Sequence, residues 1–149
     1  MEVKPGYKQT EVGVIPEDWA VNQIGEISSI YIGGDLNEDD FATCSDNIYR
    51  YPIFSNTVSY EGLYGYSKSY EYDGESISVI GRGVGIGTAF KRTGKFCAIG
   101  RLIVVFPEKF INSGYLAEYI NNNVKIFQES SGVPQLTGIG LAKYHIPLP

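Results

Sequence analysis

The sequence predicts a single α+β domain spanning residues 1–149, in which a twisted, mostly antiparallel β-sheet core is packed against a few helices. Three observations predict this class. The length of 149 residues is typical of one domain, which can bury roughly two thirds of its unfolded surface. Short apolar and aromatic runs broken by Gly, Asn and Asp fill residues 49–106, which is typical of strands and tight turns. Helical periodicity is clearest after residue 112.

The first elements are predicted to be a short helix and an acidic loop. Ile24 and Ile27 place apolar groups on one side of a helix at residues 21–29, and a pair of glycines ends it. Residues 35–46 follow as a solvated loop rich in Asp and Glu. Its irregular spacing of acids matches no metal-ligand pattern, so no metal site is predicted there.

The central part of the chain is predicted to form the sheet. Residues 49–72 indicate short antiparallel strands joined by tight turns. Three further strands are predicted at residues 76–80, 86–90 and 102–106. The last of these is a continuous apolar run, which predicts a strand at the centre of its sheet.

The clearest helix is predicted to begin at Ser113, a favourable N-cap residue, and to end before Gly132. Its apolar side chains recur at helical spacing and form one stripe. The stripe consists of Leu116, Ile120, Val124 and Phe127.

The net charge of −5 is unevenly distributed along the chain. Residues 1–75 hold fourteen acidic and four basic residues, whereas residues 76–107 hold five basic residues and no acid. The five are Arg82, Lys91, Arg92, Lys95 and Arg101. Such a basic block would confine a polyanion to one face of an acidic protein. The alternative is a solvated pair of strands that happens to lack acids.

Three other features of the sequence bear on function, namely the tyrosines, a glycine-rich run and the lone histidine. Most of the twelve tyrosines lie between Tyr31 and Tyr72, where they either stack on exposed bases or are half-buried parts of the sheet. Residues 81–87 are rich in glycine but lack the spacing of a phosphate-binding loop. Arg82 within that run either pairs with an internal carboxylate or meets a phosphate.

The lone His145 has no serine or cysteine nucleophile in a suitable context, so neither catalysis nor a cofactor is predicted.

Cysteine usage and hydropathy predict a cytoplasmic protein. Cys44 and Cys97 are too few and too far apart for a disulfide framework, which favours two buried, reduced thiols. No apolar run approaches the roughly 18 residues that a membrane span needs, and no secretory pattern opens the sequence.

Three segments resemble, in order, the landmarks of a DNA target recognition domain in the specificity subunit of type I restriction-modification systems. The opening segment is GYKQTEVGVIPEDW at residues 6–19. The central motifs are YPIFSN at residues 51–56 and IGRG at residues 80–83. The closing segment is GVPQLT at residues 132–137, followed by Leu141 and by IPLP at the C-terminus.

The resemblance implies a non-catalytic module that reads one half of a bipartite double-stranded DNA target. Methylation and cleavage would belong to partner subunits, namely the methyltransferase subunit and, through it, the restriction subunit. A second recognition domain would read the other half. The family continues after the closing segment with a long spacer helix, and the sequence ends at Pro149, where that helix is expected to begin.

Roles in DNA binding are assigned from the chemistry of groove and phosphate contacts. The residues expected to meet base edges are Asn56, Lys68, Arg92 and Gln135. The residues expected to meet phosphates are Thr57, Ser67, Lys91, Lys95 and Thr137. Arg82 is also counted as DNA-binding, with the internal ion pair as its alternative. Two other functions stay open, namely a protein- or carbohydrate-binding β-rich module that uses the tyrosine cluster, and a regulator of the parent complex that does not read DNA.

Overall fold

The computed structural model describes residues 3–123 and 135–149, and within these ranges the chain forms twelve strands and two helices. The first six strands are β1 (Tyr7–Thr10), β2 (Gly13–Pro16), β3 (Ala20–Gln23), β4 (Ser28–Ile32), β5 (Tyr51–Phe54) and β6 (Leu63–Ser67). The other six are β7 (Tyr72–Asp73), β8 (Ser76–Val79), β9 (Ala89–Arg92), β10 (Lys95–Ala98), β11 (Ile103–Pro107) and β12 (His145–Leu148). The helices are α1 (Ser113–Asn123) and α2 (Gly138–Ala142).

Two four-stranded sheets form the centre of the molecule. One has the strand order β4-β11-β8-β9 and is antiparallel throughout. The other has the order β6-β5-β10-β7, in which β5 and β10 are parallel and the remaining pairs are antiparallel. Two smaller pairs, β1-β2 and β3-β12, are antiparallel. The predicted class, a mostly antiparallel sheet core with a few helices, is confirmed.

The apolar core lies in two layers on opposite faces of β11. Ile103 and Val105 face a cluster that includes Leu116 and Ile120 of α1, whereas Val104 faces a second cluster that includes Phe96 of β10. This alternation follows from the two-residue period of a strand. Strand β11 is therefore buried on both sides, as its continuous apolar sequence predicts, and it pairs with β4 and β8.

The prediction of a helix at residues 21–29 is wrong. The chain there forms the end of β3, a single 3₁₀ turn over Ile24–Glu26 and the start of β4. One 3₁₀ turn brings residues three apart to the same side, so Ile24 and Ile27 are both buried without a longer helix. Pairing of β4 with β11 then competes successfully with helix formation.

The strand predicted at residues 76–80 is confirmed by β8, and the one at 102–106 by β11. The strand predicted at 86–90 begins three residues later, as β9, because the amide of Gly87 bonds back to the carbonyl of Ile80 in a turn. The predicted antiparallel strands within residues 49–72 are confirmed by the pairing of β5 with β6.

Helix α1 begins at the predicted place but with a different cap. Oδ1 of Asn112 accepts from the amide of Tyr115 at 3.0 Å, whereas the Ser113 hydroxyl donates to Oε2 of Glu75 at 3.1 Å. Leu116 and Ile120 are buried as the stripe predicts. Val124, Phe127 and the predicted helix end before Gly132 lie outside the described residues.

The cysteines are both free, but they differ from the prediction of two buried thiols. Cys97 is buried and Cys44 is exposed. In the ranges described here, no helix is long and apolar enough to cross a membrane.

Candidate functional site

Three loops meet at one edge of the two central sheets. Because β5 and β10 are parallel, Phe54 and Ala98 mark the same end of their sheet. Strand β11 starts directly after β10, and its Ile103 is paired with Val79 at the end of β8. The loops that follow β5, β8 and β10, at residues 55–62, 81–87 and 99–101, therefore share one edge, called here the loop edge.

The side chain of Asn56 ties these three loops together. Its Oδ1 accepts from the amide of Gly81 at 3.0 Å, and its Nδ2 donates to the carbonyl of Gly100. Each glycine immediately precedes an arginine, Arg82 and Arg101. One amide group thus fixes the backbone beside both arginines.

The turn that carries Arg101 is held from a second side by Gly33 and Gly34. The amide of Gly100 bonds to the carbonyl of Gly34 at 2.9 Å, and the amide of Arg101 bonds to that of Gly33 at 3.1 Å. A Cβ on Gly33 would lie 2.8 Å from backbone atoms of Ala98, so this close approach requires glycine. Arg101 itself has a positive φ of 63°, which is rare for a residue with a side chain.

The closing segment returns to the same edge. Gln135 forms an antiparallel bridge with Arg82, and the amide of Leu136 donates to the carbonyl of Gly81 at 2.8 Å. A Cβ on Gly81 would lie 2.6 Å from the carbonyl oxygen of Leu136, which explains a glycine before Arg82. Thr137 then caps α2, because its Oγ1 accepts from the amide of Gly140 at 2.9 Å.

A cleft of about 450 Å³ lies between the loop edge and this segment. Its apolar lining comes from Ile30, Ile32, Ile103, Leu136 and Ile139. Its polar lining comes from the half-buried Ser28 and from four exposed residues, Arg82, Arg101, Gln135 and Thr137. Neither arginine forms an ion pair within residues 3–123 and 135–149. The loops that carry them, 81–87 and 99–101, contain no Asp or Glu. The cleft is therefore bordered by two arginines that have no ion-pair partner among the described residues.

Arg92 does not lie on the surface. It is 6% exposed, and its Nε donates to Oγ of Ser78 at 2.9 Å. Its guanidinium carbon lies 3.6 Å from the centroid of the Phe54 ring, and one terminal nitrogen donates to the carbonyl of Glu61. Burial lowers the pKa of Arg92 to about 10, an effect that the charge of Glu61 opposes, so the group remains charged at neutral pH.

The predicted lysines lie at the opposite ends of the strands, where β5, β8 and β10 begin. Lys68, Lys91 and Lys95 define this surface, called here the lysine edge. Nζ of Lys91 lies 3.7 Å from Oε2 of Glu75. Lys95 is paired in register with Asp73, and its Nζ lies 4.9 Å from the centroid of the Tyr70 ring. Basic side chains at the lysine edge are thus interspersed with acids.

Asp40 organises the part of the lysine edge around Lys68. Its carboxylate accepts from the hydroxyls of Ser67 and Ser69 at 2.9 and 2.7 Å, and from the amide of Lys68 at 2.5 Å. Burial tends to raise the pKa of Asp40, but these hydrogen bonds outweigh it and the pKa is lowered. The predicted solvated loop therefore contains carboxylates with a structural role, namely Asp40 and also Asp46, which accepts from the amides of Ile48 and Tyr49.

The structure thus separates the ten predicted DNA-binding residues into two groups. Those gathered at the loop edge and the cleft are Asn56, Thr57, Arg82, Gln135 and Thr137, and those that lie elsewhere are Ser67, Lys68, Lys91, Arg92 and Lys95. The roles predicted for three of them are corrected. Asn56 uses both ends of its amide inside the protein, Ser67 is buried against Asp40, and Arg92 is buried between the sheets.

Two residues at the loop edge were not assigned from the sequence. Arg101 belongs to the basic block, but nothing in the sequence distinguishes it from the other four members. Tyr60 is 88% exposed, whereas several other tyrosines pack against rings, such as Tyr72 against Phe96 at 5.5 Å. The sequence signal that could have identified Tyr60 as an exposed residue is its position in a segment rich in turn residues. No group of three His, Cys, Asp or Glu residues in the described ranges could hold a metal ion.

An exposed edge with two arginines, an amide side chain and an aromatic ring has the composition of a nucleic-acid contact surface. The comparison with protein families agrees with that class. Residues 16–149 match the family described as "Type I restriction modification DNA specificity domain", and the chain belongs to this family.

Two curated relatives come from Mycoplasma pneumoniae, and their names provisionally assign them as type I specificity subunits. S.MpnORF507P is 29% identical over 133 residues, which is 89% of this chain and 36% of that protein. S.MpnORF89P is 29% identical over 127 residues, or 85% of this chain and 37% of that protein. The chain therefore spans little more than a third of the length of these relatives.

Solved structures with the same fold include specificity subunits. One is the S subunit of a type I restriction-modification system from M. genitalium, with a TM-score of 0.73 at 16% identity over 88% of this chain and 34% of that one. Another is the HsdS subunit of Thermoanaerobacter tengcongensis, with a TM-score of 0.66 at 14% identity over 97% of this chain and 36% of that one. The likeness at these identities establishes the fold.

Proposed function

We propose that this chain reads one half of a bipartite sequence in double-stranded DNA, as a non-catalytic specificity module of a type I restriction-modification complex. The family and the names of the relatives support this proposal. The module would act in the cytoplasm. Its partners would be the methyltransferase subunit, the restriction subunit bound through it, and a second recognition domain.

The observation that carries the proposal is the pair Arg82 and Arg101. Both are exposed, both border one cleft, and neither has an ion-pair partner in the described residues. Unpaired arginines on a fixed backbone suit contact with phosphate oxygens or with guanine in the major groove. The rest of the protein is acidic, so repulsion elsewhere would favour approach of DNA at the loop edge.

The proposed contacts follow from positions around the cleft and, for Thr57, in the 55–62 loop of the loop edge. Gln135 has both a donor and an acceptor and is placed to read a base edge. Arg82, Thr57 and Thr137 are proposed to meet phosphates, with Arg101 as the second basic group. The lysine edge lies outside this contact surface in the proposal.

The experiment is selection from a random-sequence duplex library at low salt, followed by sequencing of the bound DNA. We expect enrichment of one short motif, and tighter binding of the enriched duplex than of a scrambled one at two salt concentrations. The control repeats the selection with Arg82→Ala/Arg101→Ala protein, which should enrich nothing. If the unaltered protein enriches no motif and shows no salt-dependent binding, even with a methyltransferase subunit added, the proposed function is wrong.

A further inference from the structure

The turn at residues 58–62 exposes an aromatic side chain on an unfavourable backbone. Tyr60 is 88% exposed, and its φ of 51° lies in the left-handed region. Glu61 follows with a φ of 53°. Two consecutive residues with side chains in this region persist only where surrounding contacts impose the conformation.

Arg92 supplies a side-chain contact that holds this conformation, in addition to the bond from the Glu61 amide to the Val58 carbonyl. The guanidinium donates to the carbonyl of Glu61 from beneath the turn, while Ser78 and the Phe54 ring fix its position. A hydrogen bond from a charged donor is stronger than a neutral one, particularly where water is excluded. Burying a cation has a desolvation cost, which the contacts of Arg92 with Ser78, the Phe54 ring and the Glu61 carbonyl offset.

The turn belongs to the loop edge, next to the arginines. A Cβ on Gly85 would lie 2.5 Å from Cγ1 of Val58, so the turn packs against the loop that begins at Gly81. Asn56, four residues before Tyr60, is bonded to the backbone beside Arg82 and Arg101. An exposed ring thus accompanies, on one edge, two arginines that form no ion pair with any described residue.

From this arrangement we infer that Tyr60 is a DNA-contacting residue that contributes to sequence specificity, and that Arg92 is the positioning residue that holds it. The ring would pack against base or sugar edges in a groove of the duplex. This inference rests on the proposed function and names two residues for the same surface.

The first test is the affinity of Tyr60→Asn for the enriched duplex. Asparagine tolerates a positive φ, so the turn should be retained while the ring is lost. We expect binding to the enriched duplex to weaken about tenfold and binding to a scrambled duplex to change less, whereas Tyr60→Phe should stay close to the unaltered protein. The matched control is Phe110→Asn, which removes a ring that is 78% exposed beyond the other end of β11. Equal affinity of Tyr60→Asn and the unaltered protein would overturn the inference.

The second test asks whether Arg92 acts through Tyr60. Arg92→Met should weaken binding to the enriched duplex about as much as Tyr60→Asn does. The double variant should bind no more weakly than either single variant, because both changes remove the same contact. Additive losses would assign Arg92 a general structural role instead. If Arg92→Met does not fold, Arg92→Lys keeps the charge but loses the forked donor geometry, and the same comparison applies.

A third readout separates this inference from the proposed function. Tyr60→Trp places a fluorophore at the turn, and its emission should change when the enriched duplex is added, beyond the change measured for Trp19 in the unaltered protein. Absence of that change, while the unaltered protein still binds the duplex, contradicts the inference alone. Failure of the unaltered protein to bind any duplex contradicts the proposed function.

Discussion

The loop edge and the lysine edge both carry basic side chains, but they differ in what surrounds those charges. At the lysine edge, Lys91 is paired with Glu75, and Lys95 lies opposite Asp73. At the loop edge, Arg82 and Arg101 form no ion pair within the described residues. A basic block in the sequence is therefore not one basic surface. The strands divide it between two ends of the molecule.

The two edges also differ in how their backbones are fixed. The loop edge is held by groups inside the protein, namely the Asn56 amide, the buried Arg92 and the close approach at Gly33. At the lysine edge, Asp40 holds only the part around Lys68, through bonds to the buried Ser67 and to the exposed Lys68 and Ser69. Rigid support beneath exposed donors lowers the entropy lost on binding, which suits a recognition surface.

The comparison of the two edges predicts its largest effect, on both stability and DNA binding, for replacement of Gly33. Gly33→Ala forces a methyl group against the backbone of Ala98, which should lower the free energy of unfolding by about 1–3 kcal/mol and displace the Arg101 turn. The control is Gly34→Ala, where a Cβ would meet nothing within 4 Å, with an expected change within about 0.5 kcal/mol. Urea denaturation and duplex affinity measure both effects. Equal tolerance of the two changes would show that the turn is not tightly fixed.

A smaller effect is expected from the Asn56 amide. Asn56→Ala leaves the amide of Gly81 and the carbonyl of Gly100 without this partner and should lower the free energy of unfolding by about 1–2 kcal/mol. Duplex affinity should fall as well, because both arginines lose a neighbouring constraint.

Asn121 offers a matched control for Asn56. Its amide also bridges backbone, with Oδ1 accepting from the amide of Ala89 at 2.6 Å and Nδ2 donating to the carbonyl of the same residue at 3.0 Å. Asn121→Ala should cost similar stability in thermal unfolding but leave duplex affinity unchanged. If both variants lose affinity equally, the claim that the loop edge is specifically required for DNA binding is wrong.

The smallest expected effect is a change in the pH dependence of stability when Asp40 at the lysine edge is replaced. The folded-state pKa of Asp40 is lowered, so its contribution to stability is present above the pKa of the unfolded state and is lost as pH falls through the folded-state value. Asp40→Asn should therefore lower stability at pH 7 by less than about 1 kcal/mol and reduce the loss of stability below about pH 4, in urea titrations across that range. Duplex affinity at pH 7 should not change. A fall in affinity would place Asp40 in the contact surface.

Much of the fold could be predicted because its signals are local. The apolar run of β11 and the stripe of α1 need only sequence periodicity. The error at residues 21–29 has a tertiary cause, since pairing with β11 decides the structure there. No local signal reports which distant strand will compete with a helix.

The site was harder to predict than the fold. The sequence singles out the closing segment, but the pairing of this segment with Arg82 depends on contacts between parts of the chain that are far apart in sequence. Composition also counts a buried cation and an exposed one alike, so Arg92 and Arg101 could not be told apart. Only the packing of Phe54, Ser78 and Glu61 around the guanidinium distinguishes them.

The most direct test of the account compares two charge-matched double variants in salt titrations of binding to the enriched duplex. Arg82→Ala/Arg101→Ala removes two charges from the loop edge, and Lys91→Ala/Lys95→Ala removes two from the lysine edge. We expect the arginine variant to lose affinity and to show a slope of log K against log salt that is smaller by about 2. The lysine variant should keep the affinity and the slope of the unaltered protein. A reduced slope in the lysine variant, with an unchanged arginine variant, would contradict the assignment of the loop edge as the DNA-reading surface.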